Sequence, residues 1–179
     1  MQNKSKIIKF QIFSVIFVSI LGILLHFTYE WSNENVIVGA FSAVNESTWE
    51  HLKLIFFPML ITTIIGYFCI GKNTNLICAK MVGIIVAILF IIIFFYTYTT
   101  IVGTNFAILD IGSFFIAVIL GEYVAYKILI SKTRCNTNIA IIILTILLIS
   151  FIYFTYITPK IFLFQDPIIG GYGIDLLSK

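Results

Sequence analysis

Met81 to Tyr98 reads MVGIIVAILFIIIFFYTY, with no charged side chain. A lipid-spanning helix needs about 20 mainly apolar residues, and only helices or closed barrels satisfy their backbone groups in hydrocarbon. The run is continuous rather than alternating, which selects a helix over a barrel strand. Working outward, the same pattern recurs along the chain. It predicts an all-α integral membrane protein, one domain over 1–179, with five spanning helices near 7–29, 48–70, 76–98, 106–130 and 138–157. A tail follows over 158–179.

Composition agrees with this reading. Of 179 residues, 60% are hydrophobic and 11% charged, with a mean hydropathy of +1.09. Soluble domains have about 25% charged residues, so this chain has too little polar surface to face water on all sides. The net charge of +3 comes with no basic stripe, which argues against a nucleic-acid partner; the bilayer is the expected surrounding. Lys4, Lys6 and Lys9 precede the first apolar run as in a signal peptide. The run is long and lacks a small-residue cleavage site, so it reads as a retained anchor.

Orientation follows the placement of Lys and Arg. Lys4, Lys6, Lys9, Lys72, Lys80, Lys127, Lys132 and Arg134 fall on one side of a five-helix model. These are eight of the eleven basic residues. That predicts a cell-membrane protein with its N-terminus in the cytoplasm and its C-terminus outside. Cys69, Cys78 and Cys135 then lie near cytoplasmic ends, an odd count that argues against a disulfide framework and reads as small packing residues.

Between the first two helices, Val36 to Val44 is apolar, rich in small residues and too short to span. It suits an interfacial or re-entrant segment. The densest polar run follows at once: Asn45-Glu46-Ser47-Thr48-Trp49-Glu50-His51-Leu52-Lys53. Ser47 and Glu50 fit a capping box, in which each side chain serves the other's backbone N–H. Glu46 and Glu50, four residues apart, would share a helix face if the helix already includes Glu46, with Lys53 available to neutralise one of them. Pro58 frees the carbonyl of Leu54 and should kink the helix.

Under this topology His26, His51, Glu30, Glu34, Glu46, Glu50, Asp110, Asp166 and Asp175 all lie at the outer ends. Solvation of exposed loops accounts for Glu34 and Asp175. Asp110 stands among Ala107, Ile108, Leu109, Ile111 and Phe114, a costly setting that marks a functional candidate. Glu122, near the inner end, calls for a basic partner such as Lys72, Lys80 or Lys127. Imidazoles and carboxylates serve equally as ligands of zinc or another divalent cation and as acid–base groups. His26, His51, Glu46 and Asp110 are therefore candidate metal ligands. Glu50, Glu46 and His51 are candidate catalytic groups. Asn45, Asp110, Asp166 and Tyr172 are candidate ligand contacts, the last two on a turn-rich tail suited to a lid. No zincin, nucleophile-elbow, phosphate-loop or dinucleotide signature is present. Tyr29, Trp31, Trp49, Tyr96, Tyr98, Tyr153, Tyr156 and Tyr172 gather at outer ends as an interfacial belt.

The run Asn45 to Lys53, followed by Pro58, resembles a motif Asn-Glu-Ser-x-Trp-Glu-His-Leu-Lys of a small uncharacterised bacterial membrane-protein family. Phe164-Gln165-Asp166-Pro167 with Gly171-Tyr172-Gly173 resembles that family's ending. The resemblance implies a common polytopic fold and brings no substrate or cofactor. Three functions fit. The first is an outward-facing site binding or transporting a cation or small polar ligand, with a homodimer expected. The second is a membrane-embedded, metal-dependent hydrolase acting on lipid or peptide at the outer interface. The third is an accessory subunit packed against a larger membrane partner.

Overall fold

The computed structural model describes residues 4–71, 75–131 and 135–174. The calls on Lys72, Lys132, Arg134 and Asp175 lie outside the described residues. The elements are α1 (Lys4–Trp31), α2 (Val36–Gly39), α3 (Thr48–Ile70), α4 (Leu76–Val102), α5 (Ala107–Ile130) and α6 (Thr137–Tyr156). A single 3-10 turn, Phe162–Phe164, follows. All but α2 are long and apolar enough to cross a membrane, which makes this a multi-pass membrane protein. Among the described residues there is no strand beyond one isolated bridge between Gln165 and Tyr172.

The helix ends show why the segments break where they do. Ser47 caps α3 and accepts from Glu50 N. Asn136 caps α6 and accepts from Asn138 N and Ile139 N. Gly103, at φ 83°, ends α4 in a left-handed conformation that side chains disfavour. Helices α1 and α4 run further than their apolar cores predict. The extra turn of α4 carries Thr99 and Thr100, whose hydroxyls donate to carbonyls of their own helix.

Two ends can be told apart without reference to a membrane. At one end, Ile7, Phe10, Leu76, Ala79, Ala125 and Leu129 form a small core. Lys4, Lys6 and Lys9 stand on the first turns of α1 there; this is called the basic end. At the other, the Asn45–Lys53 run meets the α4–α5 connection and the tail; this is called the motif end. Between them a larger core joins Val18, Phe56, Met59, Ile84, Ala117, Val118, Leu144 and Phe151.

Small residues bring the helices close, the usual device where lipid offers no hydrophobic drive. A Cβ on Gly121 would lie 2.7 Å from the carbonyl oxygen of Gly83, so α4 and α5 touch backbone to backbone. A Cβ on Gly22 would lie 2.5 Å from Phe114 Cζ and 2.6 Å from the Leu54 carbonyl oxygen. That carbonyl is the one released by Pro58. Gly22 thus marks the point where α1, α3 and α5 converge.

Cysteine pairing departs from the expectation. Cys78, at the start of α4, is joined to Cys135, just before α6, with Cα atoms 6.2 Å apart. The start of α6 lies beside the start of α4, a proximity that a separation of 57 residues conceals. Cys69 is free and exposed.

Candidate functional site at the motif end

Three side chains from three segments meet here. His26 comes from the last two turns of α1, Glu46 from the loop before α3, and His51 from the first turn of α3. One ligand atom from each lies within 4.8 Å of the others. His51 Nε2 is 3.4 Å from one Glu46 carboxylate oxygen, and His26 Nε2 is 3.8 Å from the other. The imidazole centroids are 5.3 Å apart.

Two of the three residues are held from behind. His51 Nδ1 lies 3.0 Å from the Ser47 carbonyl oxygen. With Nδ1 donating there, Nε2 faces Glu46: protonated, it donates to the carboxylate; with that proton lost, it offers the lone pair a metal ligand needs. Glu46 is fixed through its backbone: its N–H donates to Asp166 Oδ2 at 3.0 Å. The hydrogen bond from His51, and the two imidazoles' charge when protonated, hold the Glu46 carboxyl below its ordinary range. His26 Nδ1 is buried with no hydrogen-bond partner.

Asp166 and Asn45 make hydrogen bonds within and to the tail. Asp166 Oδ1 accepts from Ile168 N and Ile169 N at 2.7 and 3.1 Å. Asn45 Nδ2 donates to the Gly173 carbonyl at 3.2 Å, while its Oδ1 accepts from Ser47 N. Trp49 lies against Phe151, Phe154 and Phe164, pinning the tail to α6 instead of joining the expected interfacial belt. Tyr172 pairs with Gln165 across the tail's turn.

Glu50 is placed differently from the expectation. Glu46 precedes the helix, so the two acids do not share a face. Nor does Glu50 complete the capping box: its carboxylate turns inward. There it accepts from Val44 N at 3.1 Å and Thr155 Oγ1 at 3.1 Å, and pairs with Lys53 at 2.5 Å. Lys53 Nζ also donates to the Gly39 carbonyl and to Thr155 Oγ1. Glu50 is 2% exposed and Lys53 0%. This network, sealed from solvent, ties α2, α3 and α6 together.

Asp110 stands outside the trio. Its Oδ1 accepts from Tyr98 Oη, and the same hydroxyl accepts from Phe106 N. The pair braces the α4–α5 turn next to His51. The segment 36–44 packs on α1 through Ser42, whose hydroxyl accepts from Tyr29 N at 3.0 Å and lies 2.9 Å from Thr28 Oγ1.

A second polar network, of which sequence reasoning reached Glu122 and, as one of three candidate partners, Lys80, lies toward the basic end. Lys80 Nζ donates to both Glu122 oxygens at 2.7 and 2.6 Å, to Ser14 Oγ at 2.7 Å and to Thr62 Oγ1 at 3.3 Å. The remaining signal was Gln11 and Ser14, polar residues three apart on α1.

Fold and site together define a multi-pass membrane protein with a half-exposed imidazole–carboxylate cluster at one end of its bundle. The chain belongs to a family of unknown function (DUF6512), which matches residues 1–174. This accords with the resemblance to an uncharacterised family. No curated protein and no solved structure matches it.

Proposed function

We propose that the protein captures a divalent transition-metal cation, zinc by donor chemistry, at His26, Glu46 and His51, with the motif end facing the outside of a bacterial cell membrane. The observation carrying this reading is the convergence of three ligand atoms within 4.8 Å. Tetrahedral zinc bonds of about 2.05 Å set neighbouring ligand atoms about 3.3 Å apart. The separations of 3.4 and 3.8 Å are to different Glu46 oxygens, and the trio as a whole spans up to 4.8 Å, so binding draws the three side chains together. Two imidazoles and one carboxylate suit zinc, and three protein ligands leave a fourth position open to water or a substrate.

The bland alternative is a hydrogen-bonded relay in which Glu46 holds an imidazolium. Metal analysis and titration calorimetry of the purified protein separate the two. Capture predicts one zinc per chain, lost in His26→Ala and His51→Ala. Equal zinc uptake by the wild type and the double variant sinks the proposal.

One observation favours a second reading. A two-histidine, one-glutamate set with an open position is also the donor set of zinc hydrolases. Glu50 is sealed away, so a base would have to be Asp110, beside His51. If this reading holds, lipid-ester or peptide turnover falls with Asp110→Asn while zinc content stays constant. The apolar outer faces of α5 and α6, with Ile119 and Ile142 exposed, meet lipid, a second copy or a larger membrane partner under any of these readings.

A further inference from the structure

The Lys80 network has the form of a cation site with an occupant already in it. Four oxygens of Glu122, Ser14 and Thr62 surround one ammonium group. Gln11 lies against Glu122 and carries an unused oxygen. Its Nε2 donates to the Glu122 carbonyl at 2.6 Å, while its Oε1 is buried without a partner on a residue 7% exposed. An intramembrane acid is costly and faces a bundle interior or an ion path as a rule.

The two polar sites stand at opposite ends of one seam. On α1, His26, Gly22, Val18 and Ser14 follow one another at intervals of four. On α3, His51, Ile55 and Met59 do the same, with Thr62 one turn on. On α5 the line is Asp110, Phe114, Val118 and Glu122. Residues four apart form one ridge of a helix. Each ridge starts in or beside the His26–Glu46–His51 cluster and ends at the oxygen cage. From His26 to Ser14 is about 18 Å at 1.5 Å per residue. At the midpoint the Phe114 ring lies on Gly22, beside the Leu54 carbonyl.

Accessibility differs sharply between the ends. The side chains of His26, His51 and Glu46 are 30%, 33% and 44% exposed. Lys80, Ser14 and Thr62 are 0% and Glu122 1% exposed. Building on the metal-capture reading, we infer that the seam is a translocation route for the captured cation, seen closed at its midpoint by Phe114 on Gly22 and at its inner end by the Lys80 ammonium. The cage is the route's second site. Its all-oxygen donors hold a divalent cation less tightly than imidazole does, so an ion reaching it can leave.

The test is zinc entry into liposomes holding the full-length protein and a trapped zinc-sensitive dye. The wild type is expected to admit zinc faster than protein-free liposomes, and His51→Ala to reduce entry to the protein-free rate. Phe114→Ala should raise the initial rate several-fold, and the milder Phe114→Leu less, with zinc affinity by calorimetry unchanged. Lys80→Met combined with Glu122→Gln, which leaves no lone charge, should abolish entry while zinc still binds at the motif end. One-site zinc binding with entry at the protein-free rate overturns the route and leaves capture standing. Unchanged entry in folded, monodisperse Phe114→Leu and in the paired variant also overturns it. Absence of zinc binding overturns capture and the route together.

Discussion

Glu46 is the residue on which the motif-end site turns, because it alone touches both imidazoles. Removing its carboxylate, as in Glu46→Gln, should weaken zinc binding more than tenfold, or about 1.4 kcal/mol, and calorimetry reads this directly. Its pH behaviour has a definite sign. The folded-state value lies below the ordinary one, chiefly through the hydrogen bond from His51. Its contribution to stability is therefore complete above the ordinary carboxylate range and fades as the pH falls through the lower folded value. Zinc, by contrast, should dissociate earlier, near the imidazole range of about pH 6.5, where protons compete for the ligand lone pairs. A zinc titration repeated from pH 8 to pH 5 should show affinity falling through that range, before the fold is lost. If affinity holds flat to pH 5, imidazole ligation is wrong. The sequence revealed these three residues as candidates by type and end alone. It could not reveal that the Glu50 carboxylate turns inward to Val44, Lys53 and Thr155, since those are contacts of the folded chain. The Ser47 cap puts the start of α3 at Thr48, and from there the two acids part ways.

At the scale of elements, the sealed pair Glu50–Lys53 joins a spanning helix to the short α2 segment and to α6. Removing one member of a buried ion pair strands the other and costs about 3–5 kcal/mol, whereas removing both together costs far less. Thermal unfolding in detergent should therefore show Lys53→Met strongly destabilised and Lys53→Met with Glu50→Gln largely recovered. An unrecovered double variant would mean that the hydrogen bonds to Gly39, Val44 and Thr155, rather than the charges, carry the junction. Gly22 poses the opposite problem, of space. An added methyl there meets Phe114 and the Leu54 carbonyl, so Gly22→Ala should lower stability by about 1–3 kcal/mol as overpacking does. Helix positions were legible because apolar runs and caps are local signals; α3 coincides with its expected bounds. Contacts between helices were not legible. The partner of Glu122 proved to be Lys80, one of three named, because spacing along the chain says nothing about which helices are neighbours. The Cys78–Cys135 link was missed for the same reason.

For the whole molecule, the open question of orientation has a direct measurement. If the motif end faces outward, alkaline phosphatase fused after the tail is active, and green fluorescent protein at the same position is dark. The reverse pattern would invert the arrangement and place the histidine cluster in the cytoplasm. Five spanning helices were evident from hydropathy because lipid imposes length and composition on each span separately. The convergence of α1, the α3 loop and the tail at one site was not, because the restraints that produce it are single hydrogen bonds between residues more than a hundred positions apart, Glu46 with Asp166 and Asn45 with Gly173.

Those two hydrogen bonds also impose an order of events. The chain emerges from its N-terminus, and His26, Glu46 and His51 are all in place before α4 has been made. The loop bearing Glu46 gains its backbone anchor only when residues 164–174 arrive, after α6. Biosynthesis thus delays these two tethers until after all five spanning helices have been made. A nascent chain halted after α6 would lack them and would hold the Glu46 loop only through its hydrogen bonds to α1 and α3.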